Sequence, residues 1–332
     1  MSWLANPADR HDLPCRRRHD AMHGIAQRGV ITHLGAVLGM ATLLFVATHA
    51  QAGDIEPRAY VNTPVGINFL IAGLSFSEGG LSISTLPITG AQLTINTDVL
   101  AYAHTLDVWG NSAKFDVIVP YSNLEGSALL DGQPRERQVS GLLDPRLRFS
   151  VNFYGSPALS VKEFANYKQD LLIGASVQVS APLGQYDSSK LINLGNNRWF
   201  IKPDIGISKA WGPLTLEFSQ GVYFYTKNND LLNGNTLEQD PLYSTQAHLT
   251  YNIAPNAWAA LDATYDYGGR TTINGVRGED VHSTSRVGAT VAVSVNRNNS
   301  IKFNASTGVS TRTDDSYNLF GVYWQYRWGD GL

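Results

Sequence analysis

Charged side chains of opposite sign recur two residues apart in three segments of the chain. In chain order they are Lys114 and Asp116; Asp144, Arg146 and Arg148; and Lys202 and Asp204. If these segments are β-strands, each group lies on one face, because alternate side chains of a strand point to the same side. Such faces either form an ion network that holds a narrow barrel rigid or line a polar pore with a mixed-charge constriction. Since neither sign dominates, a pore of this kind is expected to select weakly for charge.

Other polar residues fall at the same alternating positions. Tyr223 and Tyr225 share a face with Glu217, and they are the better candidates for touching a solute. The remaining residues of the predicted lumen and solute path are His248, Asp262, Arg286 and Arg327, and Asn96 and Asp98 are also expected to face inward.

The chain lacks the residue patterns of enzymes. A serine hydrolase needs a serine near a histidine that a third group orients. Only His104, His248 and His282 remain after the predicted leader, and no G-x-S-x-G, HExxH or zinc-ligand spacing occurs. We therefore expect no catalytic residues, no metal site and no cofactor. A lipid-modifying barrel enzyme that uses His248 is the less favoured alternative.

Long segments of alternating polarity must position these side chains. Such segments need about nine to eleven residues to cross a membrane as tilted strands, whereas soluble strands usually have about five or six. The sequence predicts about twelve of them, near residues 64–77, 94–107, 112–124, 141–154, 168–182, 198–210, 214–226, 242–253, 257–269, 283–295, 299–311 and 317–328.

The last segment shows the pattern most clearly. Its alternate positions hold Phe320, Val322, Trp324, Tyr326 and Trp328. A C-terminal strand of this kind on an exported chain is typical of an outer-membrane β-barrel. Aromatic residues near other strand ends are expected to form interfacial girdles; the full predicted set is Tyr121, Tyr154, Trp199, Trp211, Tyr251, Tyr265, Tyr267, Trp324, Tyr326 and Trp328.

Connections of two lengths alternate along the chain. Tight turns are predicted at 109–111, 211–213, 254–256 and 296–299, and long polar loops around 78–93, 125–140, 184–197, 227–241 and 270–282. The link 312–316 is short, and the longer link 155–167 could form one helical turn at 161–165. This alternation predicts an all-β transmembrane antiparallel up-and-down β-barrel with both termini periplasmic. The strands must close, because an open edge in lipid leaves backbone groups unpaired. A secreted β-sandwich is the soluble alternative.

Four prolines test this assignment, because proline cannot donate to a strand ladder. They are Pro120, Pro145, Pro182 and Pro203. In a closed barrel they are expected near strand ends or at bulges.

The N-terminal region predicts export. An apolar run over residues 33–46 follows Arg28, and it is too short to span a bilayer comfortably. Ala50-Gln51-Ala52 has the small-x-small form of a signal-peptidase site. We expect residues 1–52 to be an N-terminal extension and a Sec signal peptide cleaved after Ala52, and residues 53–332 to form the barrel. The start codon, Met1 or Met22, is left open.

Removal of the leader makes the chain more acidic, since five arginines and three aspartates leave with it. The only cysteine, Cys15, also leaves, which excludes a disulfide scaffold and a thiolate zinc protein. The acidic charge argues against nucleic acid as a partner. The expected partners are outer-membrane lipid, the barrel-assembly machinery and a small-molecule solute.

Several motifs are similar to those of a known family. They include Asp54-Ile55-Glu56-Pro57-Arg58-Ala59-Tyr60, Asp144-Pro145-Arg146, Pro182-Leu183-Gly184-Gln185-Tyr186 and Asn193-Leu194-Gly195-Asn196-Asn197-Arg198-Trp199. Over nearly all of residues 54–328 the chain resembles the "meta-pathway of phenol degradation" family of proteobacterial outer-membrane proteins. The resemblance implies a transporter-like membrane barrel that is associated with the breakdown of aromatic compounds. It supplies no catalytic residues.

These observations together predict an outer-membrane channel or transporter for the passive uptake of small solutes, with aromatic compounds as one candidate class. A structural barrel with a plugged lumen is the alternative. An apolar solute would need an apolar path, and the predicted lumen is mixed and charged.

Overall fold

The computed structural model describes residues 55–332 except 81–87, 131, 233, 312–316 and 330. The predicted leader and its cleavage site lie outside these residues, as does the predicted link 312–316. No helix in the part of the chain that the structure describes is long and apolar enough to cross a membrane.

The described residues form mainly β-strands. These are β1 (Ile67–Gly80), β2 (Ile88–Val108), β3 (Asn111–Leu130), β4 (Gln133–Leu142), β5 (Arg146–Tyr154), β6 (Leu171–Ser180), β7 (Phe200–Trp211), β8 (Leu214–Tyr225), β9 (Asn228–Leu231), β10 (Asn235–Gln239), β11 (Leu242–Ala254), β12 (Ala257–Gly268), β13 (Thr271–Ile273), β14 (Val276–Arg277), β15 (His282–Ser294), β16 (Asn299–Thr311) and β17 (Tyr317–Gly329). A short helix, α1 (Val161–Phe164), lies between β5 and β6.

Twelve of these strands close into an antiparallel barrel. The order around the barrel is β1-β2-β3-β5-β6-β7-β8-β11-β12-β15-β16-β17. β17 then pairs with β1, from Ile67↔Gly329 to Gly79↔Tyr317. Closure pairs the backbone groups that an open sheet would expose to lipid. The predicted barrel and its strand number are confirmed.

The outer face of the barrel is apolar and aromatic. Leu74, Leu100 and Leu261 have more than half of their surface exposed, and all ten predicted girdle aromatics are exposed. A soluble protein does not expose apolar surface on this scale. This face therefore fits the hydrocarbon of a bilayer, with aromatic side chains near its two borders.

The two ends of the barrel differ. At one end, the short-turn end, tight connections join β2 to β3, β7 to β8, β11 to β12 and β15 to β16. The link 155–167 also lies there, and α1 begins with a capping box between Ser160 and Glu163. The predicted tight turns and the predicted helical turn are confirmed. We call the opposite end the long-loop end.

Several predicted long loops at that end contain strands instead. β3 continues through the predicted loop 125–140 and returns as β4, with pairs from Tyr121↔Leu142 to Leu130↔Gln133. The predicted loops 227–241 and 270–282 contain β9, β10, β13 and β14, which form a separate four-stranded sheet. Their polar composition was misleading, because strands beyond the bilayer need no apolar outer face. The segment 184–197 has no strand, as predicted.

Three of the four prolines occupy the expected kinds of position, whereas Pro120 lies in the middle of β3. Pro145 and Pro182 lie outside the strands. Pro120 lies where the partner of β3 changes from β5 to β4, and its carbonyl accepts a hydrogen bond from Leu143 N over 3.0 Å. Pro203 lies where the β7–β8 pairing is interrupted between Ile201↔Phe224 and Asp204↔Gly221.

Candidate functional site: the barrel lumen

Residues 55–66, which precede β1, lie inside the barrel, and we call them the N-terminal segment. The segment is held at the short-turn end, where Gly66 N donates to Thr105 O over 2.9 Å. Asn62 Nδ2 donates to Pro157 O over 3.2 Å. This placement was not predicted, because a short segment without periodicity carries no local signal of where it docks.

Arg148 joins the N-terminal segment to the barrel wall. Its Nε donates to Asp116 Oδ2 over 3.0 Å, and its Nη1 contacts the Glu56 carboxylate. Lys114 Nζ lies 3.7 Å from Asp116 Oδ1. Three of the predicted lumen residues, Lys114, Asp116 and Arg148, therefore come together, and Arg148 bridges the carboxylates of Asp116 and Glu56.

Glu217 anchors the middle of the segment. The Glu217 side chain is buried, and its Oε2 accepts a hydrogen bond from Arg58 N over 2.5 Å. Arg58 has a positive φ of 68°, which is costly for a residue with a side chain. Its guanidinium lies 5.3 Å from the Trp258 ring centroid, within the range of a cation–π contact. These contacts offset the unfavourable backbone conformation.

Tyr60 occupies a seat made by two glycines. Its ring lies where the Cβ of any other residue at Gly174 or Gly206 would be. Its hydroxyl donates to the Asp204 carboxylate and lies 3.5 Å from Ser176 Oγ. The missing side chains on β6 and β7 therefore create the space in which the segment is fixed.

A small cavity lies beside the N-terminal segment and opens to solvent; together with the open space at its mouth it measures about 590 Å³. Side chains of both signs line it. They include Glu56, Tyr60, Arg148, Lys202, Asp204, Glu217 and His248. Side chains of both signs therefore surround this space.

His248 and Asp262 form a buried pair on β11 and β12. His248 Nδ1 lies 2.7 Å from Asp262 Oδ1, and His248 Nε2 lies 3.2 Å from Gln246 Oε1. Thr290 Oγ1 donates to the other Asp262 oxygen over 2.8 Å. Both ring nitrogens of His248 therefore have partners on the barrel wall.

The two candidate tyrosines stack on each other inside the barrel. The rings of Tyr223 and Tyr225 are 6.2 Å apart with an interplanar angle of 7°. Lys202 Nζ lies 4.8 Å from the Tyr223 ring centroid, and the Arg198 guanidinium lies 4.4 Å from that of Tyr225. Arg198 is buried but was not predicted as a lumen residue, although it belongs to a motif that carried the resemblance. Arg198 lies in the loop before β7. Because that loop has no strand periodicity, the sequence did not indicate that this side chain points into the barrel.

Asp144 fastens residues 181–199, which we call the strap. Asp144 accepts hydrogen bonds from Gly184 N, Asn196 N and Asn196 Nδ2 over 2.9, 2.7 and 3.0 Å. At the tip of the strap, the Ser189 hydroxyl and N–H lower the pKa of Asp187. Leu191 and Ile192 pack with Ala91 at the start of β2. Both ends of the strap are thus held by one buried carboxylate.

The remaining predicted residues are spread along the inner wall. Arg286 Nη2 donates to Ser306 Oγ over 2.8 Å, and its guanidinium lies 3.5 Å from the Tyr317 ring. Arg146 lies on the same face of β5 as Arg148. Arg327 lies at the short-turn end, where its Nε donates to Arg297 O over 2.8 Å. It is therefore not part of the group around the N-terminal segment.

The inward placement predicted for Asn96 and Asp98 is wrong. Both are exposed, and Asp98 is paired with Leu74 on β1 and Tyr121 on β3, whose side chains are on the outer face. β2 has apolar residues on both faces, so its polarity did not fix its orientation. At the level of the girdle residue Tyr121, an outward carboxylate is tolerated.

The closed barrel, its apolar outer band and its polar interior define an outer-membrane β-barrel. The chain belongs to the family described as "Putative MetA-pathway of phenol degradation", whose model matches residues 74–326. No curated protein sequence matches the chain.

A solved outer-membrane channel shares the fold, and other solved barrels match less well. The COG4313 outer membrane channel from Pseudomonas putida F1 is 18% identical with a TM-score of 0.69, and the match covers 83% of this chain and 100% of that one. The β-domain of the Bordetella autotransporter BrkA is 10% identical with a TM-score of 0.47, over 80% of this chain and 99% of that one. At 18% identity the likeness to the Pseudomonas putida channel concerns the fold alone.

Proposed function

We propose that this protein is an outer-membrane channel that admits small solutes passively and whose lumen is narrowed by the N-terminal segment. The observation that carries the proposal is the cavity beside that segment inside a closed barrel. The width of a twelve-stranded barrel lies between that of the small, filled barrels and that of the open sixteen-stranded porins. A narrow path is therefore the expected result of placing a fixed segment within it.

Weak charge selectivity is part of the proposal. Arg148 and Lys202 line the cavity together with Glu56, Asp204 and Glu217. Since the two signs are close to balance there, neither cations nor anions gain a large advantage. Aromatic compounds are a candidate solute class because of the family description.

The proposed orientation places the short-turn end in the periplasm and the long-loop end outside the cell. Short periplasmic turns and longer external loops are the rule in such barrels. Sec export with cleavage after Ala52 belongs to the same proposal, and N-terminal sequencing of the protein purified from outer membranes would check it. A first residue other than Gly53 would contradict that cleavage site.

A structural barrel with a plugged lumen is the second candidate. It is favoured by the number of anchors on the N-terminal segment, which include Arg148, Glu217 and Asp204. Planar-bilayer recording of the refolded protein separates the two functions. Discrete conductance steps support the channel, whereas a silent bilayer from protein with normal heat-modifiable folding supports the plugged barrel.

We also propose that the barrel is not an enzyme. The support is the engagement of both His248 ring nitrogens by Asp262 and Gln246. Phospholipid hydrolysis by the purified barrel, abolished by His248→Ala but not by His104→Ala, would contradict this proposal.

A further inference from the structure

Arg198 is a buried cation that has no carboxylate partner among the described residues. It lies near the end of the strap, shortly before β7, and only 7% of its surface is exposed. Its Nη2 contacts Gln239 Oε1, which is a neutral amide oxygen. Its Nε and Nη1 have no hydrogen-bond partner in the part of the chain that the structure describes. A buried charge normally has an ionic partner, because it is costly to remove an isolated charge from water.

Two other arginines inside the barrel are better satisfied by the protein. Arg148 bridges two carboxylates. Arg286 uses both of its terminal nitrogens, which donate to Tyr317 O over 3.1 Å and to Ser306 Oγ over 2.8 Å, and only its Nε lacks a described partner. Arg198 therefore differs from both, since two of its three nitrogens remain for an acceptor that the described chain does not supply.

The carboxylate that anchors the strap is already engaged. Asp144 Oδ1 accepts a hydrogen bond from Gly184 N, and Asp144 Oδ2 accepts from Asn196 N and Nδ2. None of the hydrogen bonds described for Asp144 comes from Arg198. Both oxygens of this carboxylate thus serve to hold the strap, and the charge of Arg198 is left for another anion.

The guanidinium of Arg198 lies beside the path of the proposed channel. It is 4.4 Å from the ring centroid of Tyr225, and that ring stacks on the ring of Tyr223. Lys202 Nζ lies 4.8 Å from the Tyr223 ring centroid, and Lys202 lines the cavity beside the N-terminal segment. A solute that enters at the long-loop end therefore meets Arg198 before it meets Lys202.

The chemistry of the guanidinium restricts its ligand. Its N–H groups are donors only, so the ligand must supply an acceptor. Carboxylate oxygens form shorter and stronger hydrogen bonds with arginine than neutral oxygens do. One unpaired cation is matched by one negative charge, and a second negative charge would lack a partner. Since Nε and Nη1 are shielded from solvent, the strap must shift for a ligand to reach them.

We propose that Arg198 is a binding site for the carboxylate group of small monoanionic solutes, where the strap meets the lumen. This inference rests on the proposed channel function and names a class of solute that the channel binds at its long-loop end. The balanced charges of the cavity give weak selectivity between salt ions, whereas Arg198 recognises a carboxylate by direct hydrogen bonds.

The test is the fluorine NMR spectrum of trifluoroacetate with the folded protein in detergent micelles. Bound probe gives a broadened or a separate signal, and trifluoroacetamide, which has a similar shape without the charge, gives the baseline. The wild type should bind trifluoroacetate, and acetate should displace it. Displacement by chloride or phosphate that is as effective as displacement by acetate would assign the site to an inorganic anion and overturn the proposal.

Two variants remove the unpaired charge in different ways. Arg198→Gln should weaken the binding of trifluoroacetate at least about tenfold, because the charge that strengthens the hydrogen bonds is lost. Gln239→Glu should do the same without removing the arginine, because it places a carboxylate against Arg198 within the protein. Gln239→Glu carries the test alone if heat-modifiable mobility shows that Arg198→Gln does not fold.

Arg277→Gln is the matched control. It removes the same charge at the long-loop end, but Arg277 is exposed and paired with Asp240. It should leave the binding of the probe unchanged, and an equal loss in this variant would overturn the Arg198 site. Undiminished binding to folded Gln239→Glu would also overturn it. So would an absence of binding to the wild type, which would leave the two nitrogens to water.

None of these results depends on conduction. Silent bilayers from a protein that binds trifluoroacetate through Arg198 would overturn the channel and leave the site. Conductance steps from a protein that does not bind the probe would overturn the site and leave the channel.

Discussion

Arg148 binds two carboxylates that come from distant parts of the chain. Asp116 belongs to the barrel wall, and Glu56 belongs to the N-terminal segment. Removing one partner of a fully buried ion pair costs about 3–5 kcal/mol because the other charge is left unpaired, and the half-buried pair of Arg148 and Glu56 is expected to lose less than that. The contact of Arg148 with Glu56 is therefore expected to decide whether the segment stays in the lumen.

Arg148→Ala should increase the single-channel conductance severalfold, because Glu56 loses its cation and is repelled by Asp116. Planar-bilayer recording measures the change. Arg327→Ala is the matched control, since Arg327 binds a turn at the short-turn end. If Arg148→Ala and Arg146→Ala both leave conductance and ion preference unchanged, these arginines do not shape the path.

Gly206→Val gives an independent test of the same segment. The valine side chain would occupy the position of the Tyr60 ring and expel it from its seat. We expect a larger conductance with an intact barrel, because the change is confined to the lumen. Ala210→Val on the same strand is the control, and equal conductance in the two variants would show that the seat is not needed.

The strap is an element whose position depends on one carboxylate. A hydrogen bond to a charged group contributes about 1.5–3 kcal/mol, and Asp144 accepts three of them from the strap. Their loss should release residues 181–199 while the barrel remains closed. The exposed Lys190 near the tip then becomes a site for trypsin.

Asp144→Ala should make folded protein in detergent sensitive to trypsin at Lys190, as measured by mass spectrometry of the fragments. Asp170→Ala is the control, because Asp170 binds Lys209 at the other end of the barrel. Equal resistance of the two variants would mean that the packing of Leu191 and Ile192 is enough to hold the strap.

The final strand, β17, has a second proposed role besides lipid contact. Its outward aromatics include Phe320 and Trp328, and Trp328 is the last of them. We propose that the barrel-assembly machinery recognises Trp328, which lies near the end of β17. Trp328→Ala should therefore lower the heat-modifiable fraction in the outer membrane of cells. Phe320→Ala removes a similar apolar side chain from the same strand, and an equal loss in both variants would argue against a terminal signal.

At the scale of the whole molecule, the barrel was predictable because alternation is a local property of each strand. β15, β16 and β17 have one apolar and one polar face, so their orientation could be read directly. β1 could not be read in this way, since Phe69, Leu70 and Ile71 are consecutive apolar residues. The inward placement of Phe69 and Ile71 was missed for that reason. The same ambiguity on β2 led to the wrong prediction that Asp98 faces inward.

The contents of the lumen were beyond prediction for a different reason. The contacts of Glu56, Arg58 and Tyr60 join residues that are far apart in the chain. The sequence showed that charged residues lie on the inward face of the strands and that they need partners inside the barrel. They did not indicate that a segment before the first strand would supply those partners.

The most direct test of the account compares the conductance of the refolded protein with that of a variant lacking residues 55–62. This deletion removes Glu56, Arg58 and Tyr60 and leaves β1 intact. We predict small steps for the wild type and severalfold larger steps for the deletion variant, with both proteins heat-modifiable. Silent bilayers from both folded proteins would contradict the proposal that this barrel is a channel narrowed by its own N-terminal segment.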